Sequence, residues 1–366
     1  MIKNRISRLR EHLKRKQIPA LLVTVPANRF YLSAFTPDDG QPGESAGALL
    51  ISRQAAILLT DFRYQLTAES QAEYYDVQVY TTGLAQELVM LTQELGLKSL
   101  AVEAAGLTLA QWELLQRNLP EIELISCVGL VEELRQIKDS GEIKAITHSL
   151  AIMEKSLRKV MDEGVVGKEE IHVARLLART VEDMGGDGLS FAAIVASGPN
   201  GAEPHAHAGR ELIAAGRPLV IDVGACYQKY ASDITRTYLP QDGGDKKWHQ
   251  IYPVVRDALQ AALAGIRPGM QGHEADDIAR QVIVDAGYGR NFGHSLGHGV
   301  GLMVHEAPSL SPRSREILKP GMVFTLEPGI YIPGWGGIRL EQMVELTPQG
   351  CRLLNQLDDF YDIRPA

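Results

Sequence analysis

With 366 residues, 45% of them hydrophobic, the chain is long for one domain and has apolar surface enough for two cores. Its 37 basic and 45 acidic residues leave a formal net charge of -8, which argues against a nucleic-acid or anionic-membrane partner and favours small molecules or peptides. Cys127, Cys226 and Cys351 are widely spaced and form no CxxC pair, and the charged N-terminus MIKNRISRLREHLKRKQ lacks the apolar core of a signal peptide. Reduced thiols and a cytoplasmic, membrane-free protein are therefore expected.

Ile6, Leu9 and Leu13 recur at helical spacing, and PALLVTV after Lys16 reads as a buried strand. Strands GALLISR and AAILLTD follow, then helix RYQLTAESQAE, strand DVQVY, helix LAQELVMLTQELG, strand SLAVEA, helix LAQWELLQRN and strand ELIS. Such alternation predicts a layered domain with a mixed sheet over residues 1–130. From Val131 to Gly185 the texture becomes almost continuous amphipathic helix, with a start signal at Ser140 and Glu142. Beyond Phe191, strands rich in Val, Ile and Thr alternate with helices near 246–264 and 273–286. The second domain, 131–366, is thus expected to be α+β (mixed).

Four acids and one histidine in this second part stand in strand-like or glycine-rich segments: Asp222, Asp233, His298, Glu327 and Glu341. If LVIDVGA and YASDITRTYL form a hairpin turning at Tyr227 and Gln228, Asp222 falls opposite Asp233, with Cβ atoms about 5 Å apart. A second hairpin, centred on Gly334, sets Glu327 opposite Glu341. Four carboxylates on facing strands raise one another's pKa, whereas two divalent cations cancel their formal charge. Oxygen-dominated ligation with one imidazole suits Mn(II), with Co(II), Zn(II) or Fe(II) as substitutes. A lone acid in such a segment would more simply be an exposed strand residue or an arginine partner; the paired placement favours metal.

The blocks VASGPNGAEPH, VIDVGACYQKYASDITRT, GHSLGHGVGLMVHEAP, LKPGMVFTLEPGIYIPG and GGIRLEQ resemble, in order and approximate spacing, the signatures of the creatinase/aminopeptidase P/prolidase metallopeptidases, the pita-bread family M24B. NRFYLSAFT extends the likeness more weakly into a creatinase-like N-terminal domain. The resemblance implies a dinuclear site in which Asp222, Asp233, His298, Glu327 and Glu341 hold two ions around one hydroxide, Asp233 and Glu341 bridging. Glu327 would also carry a proton to the leaving nitrogen. It further implies that His305 donates a hydrogen bond toward the substrate carbonyl or developing oxyanion, that His205 is catalytic beside it, and that His205 and His294 border a proline pocket. Tyr331 and Arg339 would orient groups of the site or touch substrate, whereas His207 and His249 match no motif position.

The implied activity is hydrolysis of the bond before proline, as an Xaa-Pro dipeptidase or an Xaa-Pro aminopeptidase, and the resemblance also implies a homodimer. Phe292, His294, Val300 and Leu302 are candidates for an apolar slot around the proline ring. Arg313 is the candidate anchor for a dipeptide's free carboxylate, in a segment where Ser309 stands at a position often basic in prolidase-like relatives. Met303 and Gln342 are smaller departures from the family pattern, and neither removes a ligand. A creatinase-like C–N hydrolase, a methionine aminopeptidase and an inactive pita-bread binding module are the competing readings; the intact ligand set and the additional N-terminal domain count against them.

Overall fold

A computed structural model describes residues 1–37, 46–240 and 244–357. The chain divides into two compact units, Met1–Arg135 and Gln136–Ala366. In the first, α1 (Ile2–Arg15) leads into β1 (Ala20–Val23), α2 (Pro26–Ser33), β2 (Ala48–Ser52) and β3 (Ala56–Thr60). Then come α3 (Gln65–Gln71), β4 (Asp76–Val79), α4 (Leu84–Glu94), β5 (Ser99–Glu103), α5 (Leu109–Asn118), β6 (Glu123–Cys127) and α6 (Glu132–Arg135). The six strands form one sheet in the order β4-β3-β2-β1-β5-β6. It is mixed, as the alternation predicts: β1 runs antiparallel to β2 but parallel to β5. Leu22, Leu50, Leu59 and Leu100 of its strands pack with Leu88 and Leu91 of α4 in a fully buried cluster.

Helix α2 has no counterpart among the elements predicted above. Pro26 stands in its first turn, yet its N-cap residue, Val25, offers no side-chain acceptor. The carboxylate of Glu103, at the end of β5, accepts instead from the N–H groups of Thr24 and Val25, each at 2.7 Å. That acceptor is remote in sequence, so local periodicity carries no trace of it.

The second unit opens with α7 (Ser140–Asp162), whose N-cap is Asp139, one residue before the predicted start, in a reciprocal capping box with Glu142. It continues through α8 (Glu170–Asp183), β7 (Gly188–Leu189), β8 (Ile194–Ser197), β9 (Leu219–Val223), β10 (Ala225–Tyr227), β11 (Tyr230–Ala231) and β12 (Ile234–Tyr238). Helices α9 (Lys246–Gly265) and α10 (Gly272–Asp285) follow, then β13 (Gly297–Gly299), β14 (Glu306–Leu310), β15 (Val323–Leu326) and β16 (Gly329–Ile332). The last strands are β17 (Gly336–Arg339), β18 (Gln342–Thr347) and β19 (Gly350–Leu353). Two sheets carry the site, β12-β9-β8 and β14-β13-β15-β18-β19. Trp248, Tyr252 and Leu259 of α9 and Ala279 and Ile283 of α10 pack with Phe324, Ile338 and Val344 in the principal core of this unit. No helix among the described residues is long and apolar enough to cross a membrane.

One hairpin register differs from the sequence expectation. Strands β9 and β12 pair Asp222 with Thr235, and β10 and β11 pair Cys226 with Ala231. The turn therefore centres on Gln228 and Lys229, both with positive φ (50° and 69°), one residue later than expected. Two left-handed central residues match the twist of a tight hairpin even without glycine. The one-residue displacement of the turn slips the pairing by two, so Asp222 and Asp233 are diagonal neighbours and still share a face.

The second hairpin has the expected register. Leu326 pairs with Gln342 in β15–β18, and Gly329 pairs with Arg339 in β16–β17. Both pairs belong to one ladder centred on Gly334, where φ is 76°. Glu327 and Glu341 fall at its interruption, where the backbone changes partners: the Glu327 N–H donates to Leu296 O and the Glu341 N–H to Thr235 O.

Candidate metal centre

That change of partners brings the long hairpin against β12 and against the segment leading into β13, and so gathers the acids. His298 sits at the middle of β13, between Gly297 and Gly299. The strand runs between β14 and β15, and a Cβ on Gly297 would collide with the carbonyl oxygen of Thr325, one on Gly299 with that of Ala307. Only glycine allows this approach at both positions, and it sets the His298 imidazole 3.4 Å from Glu327 Oε1 and 3.6 Å from Asp233 Oδ2. Asp233, His298 and Glu341 each bring one ligand atom within 4.8 Å of the others.

Two threonines aim the glutamates. The Thr235 hydroxyl donates to Glu341 Oε2 at 2.7 Å and accepts from Arg339 Nε at 3.1 Å. Thr325 donates to Glu327 Oε1 at 3.2 Å and accepts the His298 N–H at 3.1 Å. Each hydroxyl spends its single proton on a carboxylate because a nitrogen donor occupies its lone pair. Neither threonine features in the sequence reading, although each stands two residues from an acid on the same strand face: Thr235 after Asp233, Thr325 before Glu327.

Arg339 is buried and fully engaged. Its Nη2 donates to Asp222 Oδ2 at 2.6 Å, and its Nη1 donates to the Tyr331 hydroxyl at 2.8 Å and to Pro204 O at 3.1 Å. Among the described residues it is the only arginine or lysine in ion-pair contact with these acids. One positive charge faces four carboxylates, and the imbalance is visible in two ways. Asp222 Oδ1, Asp233 Oδ1 and Glu341 Oε1 are buried with no hydrogen-bond partner. Burial first, then the neighbouring carboxylates, pushes Asp233 and Glu341 well above the usual carboxylate range. Burial also lifts Glu327 to about 8 and lowers His298 to about 4. Orphaned carboxylate oxygens beside a neutral imidazole are the donor set of a cation site, so the residues fit the divalent ions that the sequence implies.

These groups open onto a cavity of about 390 Å³, lined by Asp222, Asp233, His298, Glu327, Arg339 and Glu341 and also by His205, His294 and His305. The His305 ring lies 4.1 Å from that of His298, centroid to centroid. His294 Nε2 contacts the Tyr331 hydroxyl at 2.9 Å, and burial followed by Arg339 lowers this histidine to about 4. Tyr331 stands behind Arg339 and His294 and is not itself part of the lining.

The remaining candidates lie outside the cavity lining. Arg313 is exposed in the loop after β14 and does not line the cavity. Phe292, Val300 and Leu302 do not line it either; Phe292 and Val300 are buried in the packing beneath. The apolar wall comes from Phe191, Ala192 and Ala193, between β7 and β8, and from Ile194 at the start of β8. His207, which matches no motif position, is also part of the lining.

Comparison with known proteins agrees with this architecture. The model of metallopeptidase family M24 matches residues 136–348, and that of the creatinase/prolidase N-terminal domain matches residues 5–137. An uncharacterised peptidase of Bacillus subtilis is 38% identical over 350 residues, 96% of this chain and 97% of its own. An Xaa-Pro dipeptidase from Bacillus anthracis has a solved structure with TM-score 0.92 and 37% identity, covering 98% of each chain. An X-Pro aminopeptidase from Thermotoga maritima gives TM-score 0.86 and 33% identity over 95% of this chain and 98% of that one.

Proposed function

The chain belongs to metallopeptidase family M24, with a creatinase/prolidase N-terminal domain ahead of a pita-bread catalytic domain, and we propose that it is an exopeptidase hydrolysing the bond before proline. Xaa-Pro dipeptides and the N-terminal Xaa-Pro of longer peptides are its substrates. The observation that carries this reading is the buried donor set, with three orphaned carboxylate oxygens around one neutral imidazole. Asp222, Asp233, His298, Glu327 and Glu341 would hold two divalent ions, Mn(II) in preference to Co(II), Zn(II) or Fe(II). Bound there, such ions supply water activation at neutral pH and polarisation of the scissile carbonyl.

The chain's own groups do the rest. Glu327, steered by Thr325, takes a proton from the attacking water and delivers it to the proline nitrogen, which has none of its own. His305 and His205 donate hydrogen bonds to the substrate carbonyl as negative charge develops on it. His294, backed by Tyr331, and the wall at Phe191–Ile194 surround the proline ring. Arg339 fixes Asp222 and, among the described residues, leaves no lysine or arginine free in the lining to clasp a proline carboxylate. This favours tolerance of chains longer than a dipeptide. Names of both kinds, Xaa-Pro dipeptidase and X-Pro aminopeptidase, occur among the solved relatives.

The deciding assay loads the protein with manganese and compares Xaa-Pro, Xaa-Pro-Yaa and a matched peptide without proline. Cleavage of the first two and not the third is expected; cleavage independent of proline, or none with metal bound, would sink the proposal. A homodimer belongs to the same reading and is tested by light scattering.

A further inference from the structure

We propose that Glu170 is a positioning residue for His205, holding the arc 197–209 that presents this histidine to the cavity. The inference rests on the exopeptidase reading and adds to it a residue outside the metal centre. Glu170 is the first residue of α8 and is completely buried. Its Oε1 accepts the N–H of Ser197 at 2.7 Å, and its Oε2 accepts from Asn200 Nδ2 at 2.8 Å and from the Gly209 N–H at 3.1 Å. One carboxylate thus ties the beginning, the middle and the end of the arc, and all of these partners are N–H donors. A fully buried charge satisfied in this way, at the positive end of a helix, is costly to disturb.

The arc is fastened at a second place. Pro204 O accepts from Arg339 Nη1, and a Cβ on Gly337 would collide with the carbonyl oxygen of Gly201, so the arc lies directly on β17. His205, immediately after Pro204, is exposed toward the cavity, and among the described residues its ring makes no hydrogen bond. Nothing on the side chain itself fixes the imidazole. Its position follows from the backbone of the arc, which Glu170 holds at the base and Arg339 at the tip. The proposed metal ligands lie on other segments, so disturbing the arc should leave them in place.

The test is a double-mutant cycle on the manganese-loaded, full-length protein. Glu170→Gln replaces an acceptor by an amide N–H₂ facing N–H donors, whereas Asn200→Ala removes one tie to Glu170, together with the longer contact of Asn200 Nδ2 with His207 O, and leaves the buried carboxylate intact. In the wild-type background Glu170→Gln should lower kcat by roughly 10- to 100-fold, with KM changed far less and metal content preserved. Asn200→Ala should show a smaller effect of the same kind. In the His205→Ala background both losses should vanish, because the residue being positioned is gone. Losses that multiply unchanged in that background, or loss of metal, would overturn the proposal.

Hydrogen exchange of the metal-free proteins supplies a reading independent of turnover. Faster exchange confined to 197–209 in Glu170→Gln supports the proposal, and unchanged exchange there refutes it. If Glu170→Gln fails to fold, Asn200→Ala carries both measurements. A wild-type protein that cleaves no Xaa-Pro peptide defeats the exopeptidase reading, while the exchange result still decides whether Glu170 holds the arc.

Discussion

Removing metal should leave a protein whose stability falls as pH rises, and Glu327 sets the size of the effect. Its carboxyl moves from the ordinary 4.5 to about 8 in the fold, because it is buried and faces Asp222. A raised folded-state pKa means that the native state holds the extra proton. The associated stabilisation is present in full below the unfolded value and is lost as pH climbs through about 8. Between pH 5 and pH 8 the linkage amounts to on the order of 3 kcal/mol from this residue. At ~2–4 °C per kcal/mol for a unit of this size, the melting temperature of the catalytic unit should drop by roughly 10 °C. Asp233 and Glu341, both raised, add in the same direction. Differential scanning calorimetry of chelator-treated protein at the two pH values measures the drop, with Glu327→Gln as the control that should make it smaller, leaving the part due to Asp233 and Glu341. Manganese should restore more stability at pH 8 than at pH 5, because it competes with fewer protons. A metal-free protein whose melting temperature holds steady or rises over this range would refute the account of the site as an uncompensated anionic cluster.

Thr235→Val removes the hydrogen bond that orients Glu341 and should weaken manganese binding by about 10- to 100-fold, read by calorimetric titration. Arg339→Met leaves Asp222 buried without its partner and should destabilise the metal-free protein by about 3–5 kcal/mol in denaturant titration. Adding Asp222→Asn should recover part of that loss. Arg313→Ala should change dipeptide and tripeptide cleavage equally or not at all, since the side chain lies outside the cavity lining; a selective loss of dipeptidase activity would reinstate it as a carboxylate anchor. Lys229→Gly relieves a left-handed residue in the β10–β11 turn and should stabilise the protein by about 1 kcal/mol, measured by the same titration.

Much of the candidate site was legible because the residues concerned lie on short strands, where spacing maps onto geometry. The ladder centred on Gly334 could be counted from the sequence, and it places Glu327 opposite Glu341 without reference to any distant contact. The first hairpin could be recognised but not registered. Gln228 and Lys229 give no glycine signal, and their positive φ values are imposed by the pairing of β10 with β11. The error was mild because a slip of two restores the face, whereas a slip of one would have turned Asp222 away from the site. Helix α2 and the cavity's apolar wall were hidden for another reason. Each depends on a partner remote in the chain: Glu103 for the helix start, and the approach of the β7–β8 connection to the strands bearing the acids.

The same contrast explains why chemistry is better defined here than substrate choice. Asp222 lies within the β9 ladder and Asp233, Glu327 and Glu341 stand just beyond the ends of ladders, with two threonine hydroxyls steering the glutamates. Such groups cannot move without disturbing strand pairing, and the pairing within each hairpin could be counted from the sequence to within one turn residue. The residues facing a peptide lie mostly on connections: His205 on the arc held by Glu170, His305 on the turn before β14, and Phe191, Ala192 and Ala193 between two short strands. A connection takes its position from whatever packs behind it, and those contacts come from distant parts of the chain. Specificity should therefore respond to changes at the supports of these connections more readily than metal binding does. Glu170→Gln and Thr235→Val test the two sides of that distinction, the first by lowering turnover with the metal retained and the second by releasing the metal.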